Sequence, residues 1–168
     1  MTDCEPKGLC EWKRSTRSRS SGRLFTCGRP GRATFGTALK RVDDQTIDAW
    51  ADGLPRADVL HIISLLGQKN KGLSEFWYYP FRSSEESGLK PTLQEWLDQR
   101  YCRRFVVHEF PTVDRQGIPP QTLRRVADEV RGLIETGSTV LVVDSAGAER
   151  SSRVCEQVGY QKSGKSAG

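Results

Sequence analysis

A chain of 168 residues is long enough for one domain with an interior of its own, and it holds no window of eighteen apolar residues to cross a bilayer. The formal net charge of +5 is unevenly placed: residues 1–41 carry ten Lys/Arg against three Asp/Glu, a net of +7, and residues 42–168 carry sixteen against eighteen, a net of −2. Five cysteines (Cys4, Cys10, Cys27, Cys102, Cys155) form an odd set without a Cys-x-x-Cys pair, which argues against a zinc site or a disulfide framework and for a reducing, cytoplasmic setting.

The basic character belongs to the N-terminal segment. Residues 13–23 (Lys-Arg-Ser-Thr-Arg-Ser-Arg-Ser-Ser-Gly-Arg) are almost without apolar side chains, so a disordered basic tail is expected over 1–23. Such a tail is either plain solvated chain or a weak contact for a polyanion, nucleic acid or anionic lipid. No aromatic residue interleaves the run, so base stacking is not indicated. No charged-then-apolar secretory pattern opens the sequence, and Asp3, Glu5 and Glu11 count against an organelle presequence.

Leu24 to Cys27 reads as a short strand, broken by Gly28-Arg29-Pro30-Gly31. Residues 43–54 read as a helix capped by Asp43 or Asp44, with Ile47, Trp50, Ala51 and Leu54 on one face. The nearly continuous apolar run 58–66 suits a strand covered on both faces. Gly67 to Gly72 reads as a turn, and Phe76 to Phe81 as either an edge strand or a packed loop. Pro91 opens a second helix with Leu93, Trp96, Leu97 and Tyr101 on one side. A strand over 104–110 and a loop over 111–117 follow, and Pro119-Pro120 are placed to start a third helix, which Gly137 stops. Its stripe is Leu123, Val126, Ala127, Val130, Leu133 and Ile134. Ser138 to Val143 is the last expected buried strand, Ser151 to Val158 a short final helix, and 161–168 a disordered C-terminal tail. Strands alternating with amphipathic helices predict an α/β domain over 24–160, with a mainly parallel central sheet flanked by helices.

The segment carrying chemistry is 140–151, Val-Leu-Val-Val-Asp-Ser-Ala-Gly-Ala-Glu-Arg-Ser. A buried strand ends in Asp144, and a polar loop leads into a helix. Loop N–H groups and the helix dipole at such a junction make an anion site. Gly147 permits the backbone angles and close approach of a nest, and Arg150 supplies a planar fork for two oxygens of a phosphate. Ser151 can cap the helix or bond to the residue at the loop's base.

This pattern resembles the signature His-Cys-x-x-Gly-x-x-Arg-(Ser/Thr) of the cysteine-dependent protein tyrosine and dual-specificity phosphatases. Gly147, Arg150 and Ser151 match; Asp144 stands where that family has its nucleophilic cysteine, and Val143 where it has histidine. Leu24 to Gly31 and Ile62-Ile63-Ser64-Leu65-Leu66 look like that family's opening strand and turn and a later core strand, so the likeness spans about 24–160. The resemblance implies a tyrosine/dual-specificity phosphatase-like fold, no cofactor or metal, and a phosphate-bearing ligand or phosphoprotein as partner. It places Ser145, Ala146, Gly147, Ala148, Glu149, Arg150 and Ser151 around the phosphate. It also makes Asp114, in Phe110-Pro111-Thr112-Val113-Asp114, the candidate general acid that protonates the leaving group. The competing reading of Asp114 is an ordinary turn aspartate. The sequence departs from the family at its end, where a longer helix and further helical cover are usual.

Charge alone does not decide what Asp144 does, because a working thiolate is also an anion. A carboxylate is the weaker nucleophile, and enzymes that form aspartyl phosphates usually screen charge with Mg²⁺; no second acidic cluster near 144 suggests a metal. The carboxylate can instead accept the loop's own N–H bonds or pair with Arg150, filling the site, and Glu149 adds another negative charge. Three functional readings follow: a pseudophosphatase with impaired catalysis, an active phosphomonoester hydrolase using Asp144, Arg150 and Asp114, and an interaction or scaffold protein acting through its basic arm. A structural reading stands beside them, in which Asp144 caps the next turn of an unrelated α/β domain. Cys155, inside the last helix beside Val154, reads as buried and inert, and His61 and His108 as packing residues.

Overall fold

The computed structural model describes residues 6–15, 22–32, 41–69 and 72–163. The remaining parts of the expected tails, 1–5, 16–21 and 164–168, lie outside the described residues, as does the tip of the expected turn at 70–71.

Six strands form one sheet. They are β1 (Cys10–Arg14), β2 (Arg23–Gly28), β3 (Leu60–Ser64), β4 (Phe105–Glu109), β5 (Thr139–Asp144) and β6 (Tyr160–Lys162). The order is β4-β3-β5-β2-β1-β6. The first four in that order run parallel, whereas β1 pairs antiparallel with both β2 and β6, so the sheet is mixed. The period-two rule explains the apolar runs. In β5, Leu141 and Val143 join one core while Val140 and Val142 join the other, and Phe25 and Leu24 divide the same way in β2. Both faces are covered, hence no polar alternation in the sequence.

Helices α1 (Asp44–Asp52) and α2 (Leu93–Tyr101) cover one face; α3 (Pro120–Glu135) and α4 (Glu149–Val158) cover the other. Asp43 caps α1 by accepting from the Thr46 N–H at 2.8 Å, and Ile47, Trp50 and Ala51 face inward. Thr92 and Glu95 form a reciprocal capping box on α2, one residue past the proline that predicted it. Gln94 then reaches the outermost strand: its amide donates to the Phe105 carbonyl at 2.8 Å and its oxygen accepts from the Val107 N–H at 2.7 Å. The exposed edge of β4 is thereby partly satisfied by a side chain instead of another strand.

Three expectations need correction. Residues 10–14, assigned to a disordered tail, form β1: Trp12 turns into the core and donates its indole N–H to Thr26 Oγ1 at 2.9 Å, while Lys13 and Arg14 face solvent. One buried tryptophan anchors a strand whose charged neighbours hid it. Residues 161–162, assigned to a disordered C-terminal tail, belong instead to β6, which extends to Lys162 and zips onto β1. Phe76–Phe81 is neither an edge strand nor a loop throughout: Glu75–Tyr78 is a 3-10 helix capped by Ser74, and its Phe76 and Tyr78 rings pack inward beside Tyr79 and Phe81 while Trp77 is exposed. Among the described residues no helix is long and apolar enough to cross a membrane.

Candidate functional site

Four parallel strands bring their carboxyl ends to one edge of the sheet, the usual place for ligands in parallel α/β folds. The segments that follow β2, β3 and β4 therefore converge with the end of β5, and they bring Arg29, Gly67 and Asp114 to the side of Asp144.

Asp144 ends β5 and is buried. Its Oδ1 accepts from the Gly147 N–H, and its Oδ2 accepts from the Ser151 N–H at 2.9 Å. The second bond falls in the first turn of α4, whose own cap residue Ala148 offers no side-chain acceptor. Asp144 thus does the work of an N-cap from four residues upstream of that position, with its charge on the favourable end of the helix dipole. The Ser151 hydroxyl, expected to cap or to reach the base of the loop, has no partner among the described residues although it is fully buried; its backbone N–H makes the contact instead. Gly147 has φ 72°, and a Cβ there would lie 2.5 Å from the carbonyl carbon of Cys27 and 2.6 Å from the Gly28 nitrogen. Only glycine fits between the loop and β2.

Arg150 points back beneath the loop and is 3% exposed. Its Nη1 donates to Glu75 Oε1 (3.0 Å), Thr112 Oγ1 (2.9 Å) and the Leu65 carbonyl (3.1 Å). Its Nη2 donates to Glu75 Oε2 (3.2 Å) and Asp114 Oδ1 (3.2 Å). Burial disfavours the guanidinium charge, but the Glu75 hydrogen bonds and the carboxylates of Glu75, Asp144 and Asp114 outweigh it and hold the pKa above the ordinary arginine value. Glu75 is itself fully buried and accepts a further bond from the Gly67 N–H at 3.1 Å.

The sequence-predicted residues are thus brought together in part. Asp114 meets Arg150, and Asp144 closes on Gly147 and Ser151, with no direct Asp144–Arg150 contact among those found. Ser145 is buried and its hydroxyl accepts from Arg32 Nη1 at 3.0 Å. Ala146, Ala148 and Glu149 are exposed at the rim. Glu75 was missed by sequence reasoning, and so was Thr112; a lone glutamate between a serine and an aromatic run carries no periodic signal. Cys27 and Cys155 are both buried, and burial, with a smaller contribution from the Asp144 carboxylate, pushes each thiol above its usual range, so neither is a thiolate in waiting. Among the described residues no three His, Cys, Asp or Glu side chains are grouped to hold a metal.

No protein-family model matches the chain, and no curated protein matches it by sequence. By structure it resembles kinase associated phosphatase, solved with its catalytic-site cysteine substituted by serine. The TM-score is 0.57 at 16% identity, over 91% of this chain and 72% of that one. The likeness shows a shared fold, an α/β domain with a mixed central sheet flanked by helices.

Proposed function

We propose that this chain is a pseudophosphatase: a phosphatase-fold protein whose phosphate loop is filled by its own aspartate. The observation that carries the reading is that Asp144 accepts the Gly147 N–H of the loop and the Ser151 N–H of the first turn of α4, donors that an anionic ligand would need. Arg150 is likewise committed to Glu75 and Asp114. A phosphate held about 4 Å from the Asp144 carboxylate meets a repulsion of about 4 kcal/mol per unit charge at an effective dielectric constant of about 20. It would also have to take the loop's donors from a covalently tethered competitor. Binding of a phosphoprotein or phosphate-bearing ligand in this loop is accordingly weak, and the domain acts as a scaffold.

Asp114 beside Arg150 is where a general acid would stand, which supports an ancestry in catalysis and makes one experiment decisive. Hydrolysis of an aryl phosphate is measured for the natural chain and for Asp144→Cys, with Arg150→Ala as background. Turnover by the cysteine variant alone is the expected result. Turnover by the natural chain, lost in Asp144→Ala, would overturn the reading and make aspartate the working nucleophile or base.

A further inference from the structure

Arg29 follows β2 and is 7% exposed, yet among the described residues no carboxylate lies within 4.0 Å of it. Its Nη1 donates to the Tyr79 hydroxyl at 2.9 Å, its guanidinium lies 4.6 Å from the centre of the Tyr78 ring, and its buried Nε has no hydrogen-bond partner among the described residues. Arg150, which is also buried, has two carboxylates. A buried cation with no carboxylate beside it among the described residues, and with an unused donor, is costly unless an anion arrives.

Arg29 lines a cavity of about 600 Å³ that also borders Lys7 and Arg32. Lys7 is brought there by the segment leading into β1, whose backbone is tied to β2 through the Gly28 N–H and the Lys7 carbonyl at 2.8 Å. Arg32 is oriented by its bond to Ser145. Leu9 and Trp50 also line it. Three cations suit a doubly charged oxyanion, and the guanidinium fork suits phosphate. The cavity is far larger than a phosphate ion and includes Leu9, Ala49 and Trp50 in its lining, which suits an organic body attached to it.

We propose that this pocket, formed by Lys7, Arg29 and Arg32 beside the loop and separate from Arg150, binds the phosphate group of an organic phosphate ester. Arg150 does not line it, so the site does not depend on the loop being open.

The full chain is titrated with phenyl phosphate and, separately, with inorganic phosphate, and the arginine side-chain N–H resonances are followed by NMR. The expected result is a saturable shift of the Arg29 and Arg32 signals with one dissociation constant, tighter for phenyl phosphate, while Arg150 stays in place. A Lys7→Gln/Arg32→Gln double variant, altered at less buried positions, then binds at least about tenfold more weakly. No Arg29 shift up to about 10 mM phenyl phosphate overturns the proposal. A shift confined to Arg150 overturns it too, and separately contradicts the closed loop. Tighter binding of inorganic phosphate refutes the ester and leaves a site for the free ion.

Discussion

Glu75 and Arg150 form a two-pronged ion pair, with Oε1 on Nη1 at 3.0 Å and Oε2 on Nη2 at 3.2 Å, sealed beneath the loop that Arg150 would serve. The arginine is therefore held in a fixed orientation from behind. Glu75→Gln leaves a buried guanidinium with Asp114 as its remaining carboxylate and is expected to cost about 3–5 kcal/mol. Urea denaturation measures it. Because desolvating two charges is itself expensive, Glu75→Leu/Arg150→Leu should lose less than the sum of its single variants.

Asp144→Ala removes the acceptor for the Gly147 and Ser151 N–H groups and should lower stability by about 1–3 kcal/mol. An oxyanion can take the vacated place. The thermal midpoint of the variant should therefore rise more with orthovanadate than that of the natural chain. Equal rises in both proteins would contradict a loop closed by Asp144.

Gly147→Ala places a methyl group against the backbone of Cys27 and Gly28 at φ 72°, so both contact and conformation oppose it. A loss of more than about 2 kcal/mol is expected. Gly159→Ala, at φ 93° in open space, is the control with only the conformational cost, about 1 kcal/mol. Chemical denaturation of the pair separates the two effects.

His61 Nδ1 and His108 Nε2 lie 3.0 Å apart on neighbouring strands, and Glu129 is 3.4 Å from the far side of His108. Partial burial, then the neighbouring His108, lowers the His61 pKa below 6.5. The unfolded chain thus takes up a proton at His61 before the folded one does. The contribution is fully present above pH 6.5 and is lost as pH falls through the folded pKa. The urea midpoint should fall from pH 7.5 to about 5.5, and His61→Gln should flatten that slope. An unchanged slope would remove His61 from the account.

Trp12→Ala tests whether β1 belongs to the domain. Trp12 is buried, and its loss also strands the Thr26 hydroxyl, so about 3–5 kcal/mol is expected by denaturation. A disordered tail would give no change.

The parallel strands were legible because Ile62, Ile63, Val140 and Val143 make apolar runs that only a sheet covered on both faces explains. The helices were legible from caps such as Asp43 and stripes such as Leu123, Val126 and Val130. β1 was not, because one inward tryptophan among Glu11, Lys13 and Arg14 leaves its signal to pairing partners far along the chain. The loop at 144–151 was readable from Gly147 and Arg150, since a close approach and a guanidinium fork require those residue types. Glu75 was invisible for the opposite reason: its burial follows from an arginine 75 residues away.

The β1–β6 ladder pairs Trp12 with Lys162 and Arg14 with Tyr160, so the chain enters β1 and leaves β6 at the same end of the ladder. Tension between the segments before Cys10 and after Lys162 would load these hydrogen bonds one at a time, as a zip, and not together in shear. Under pulling force β6 should peel away first, at low force, while the four parallel strands and the loop they carry remain intact.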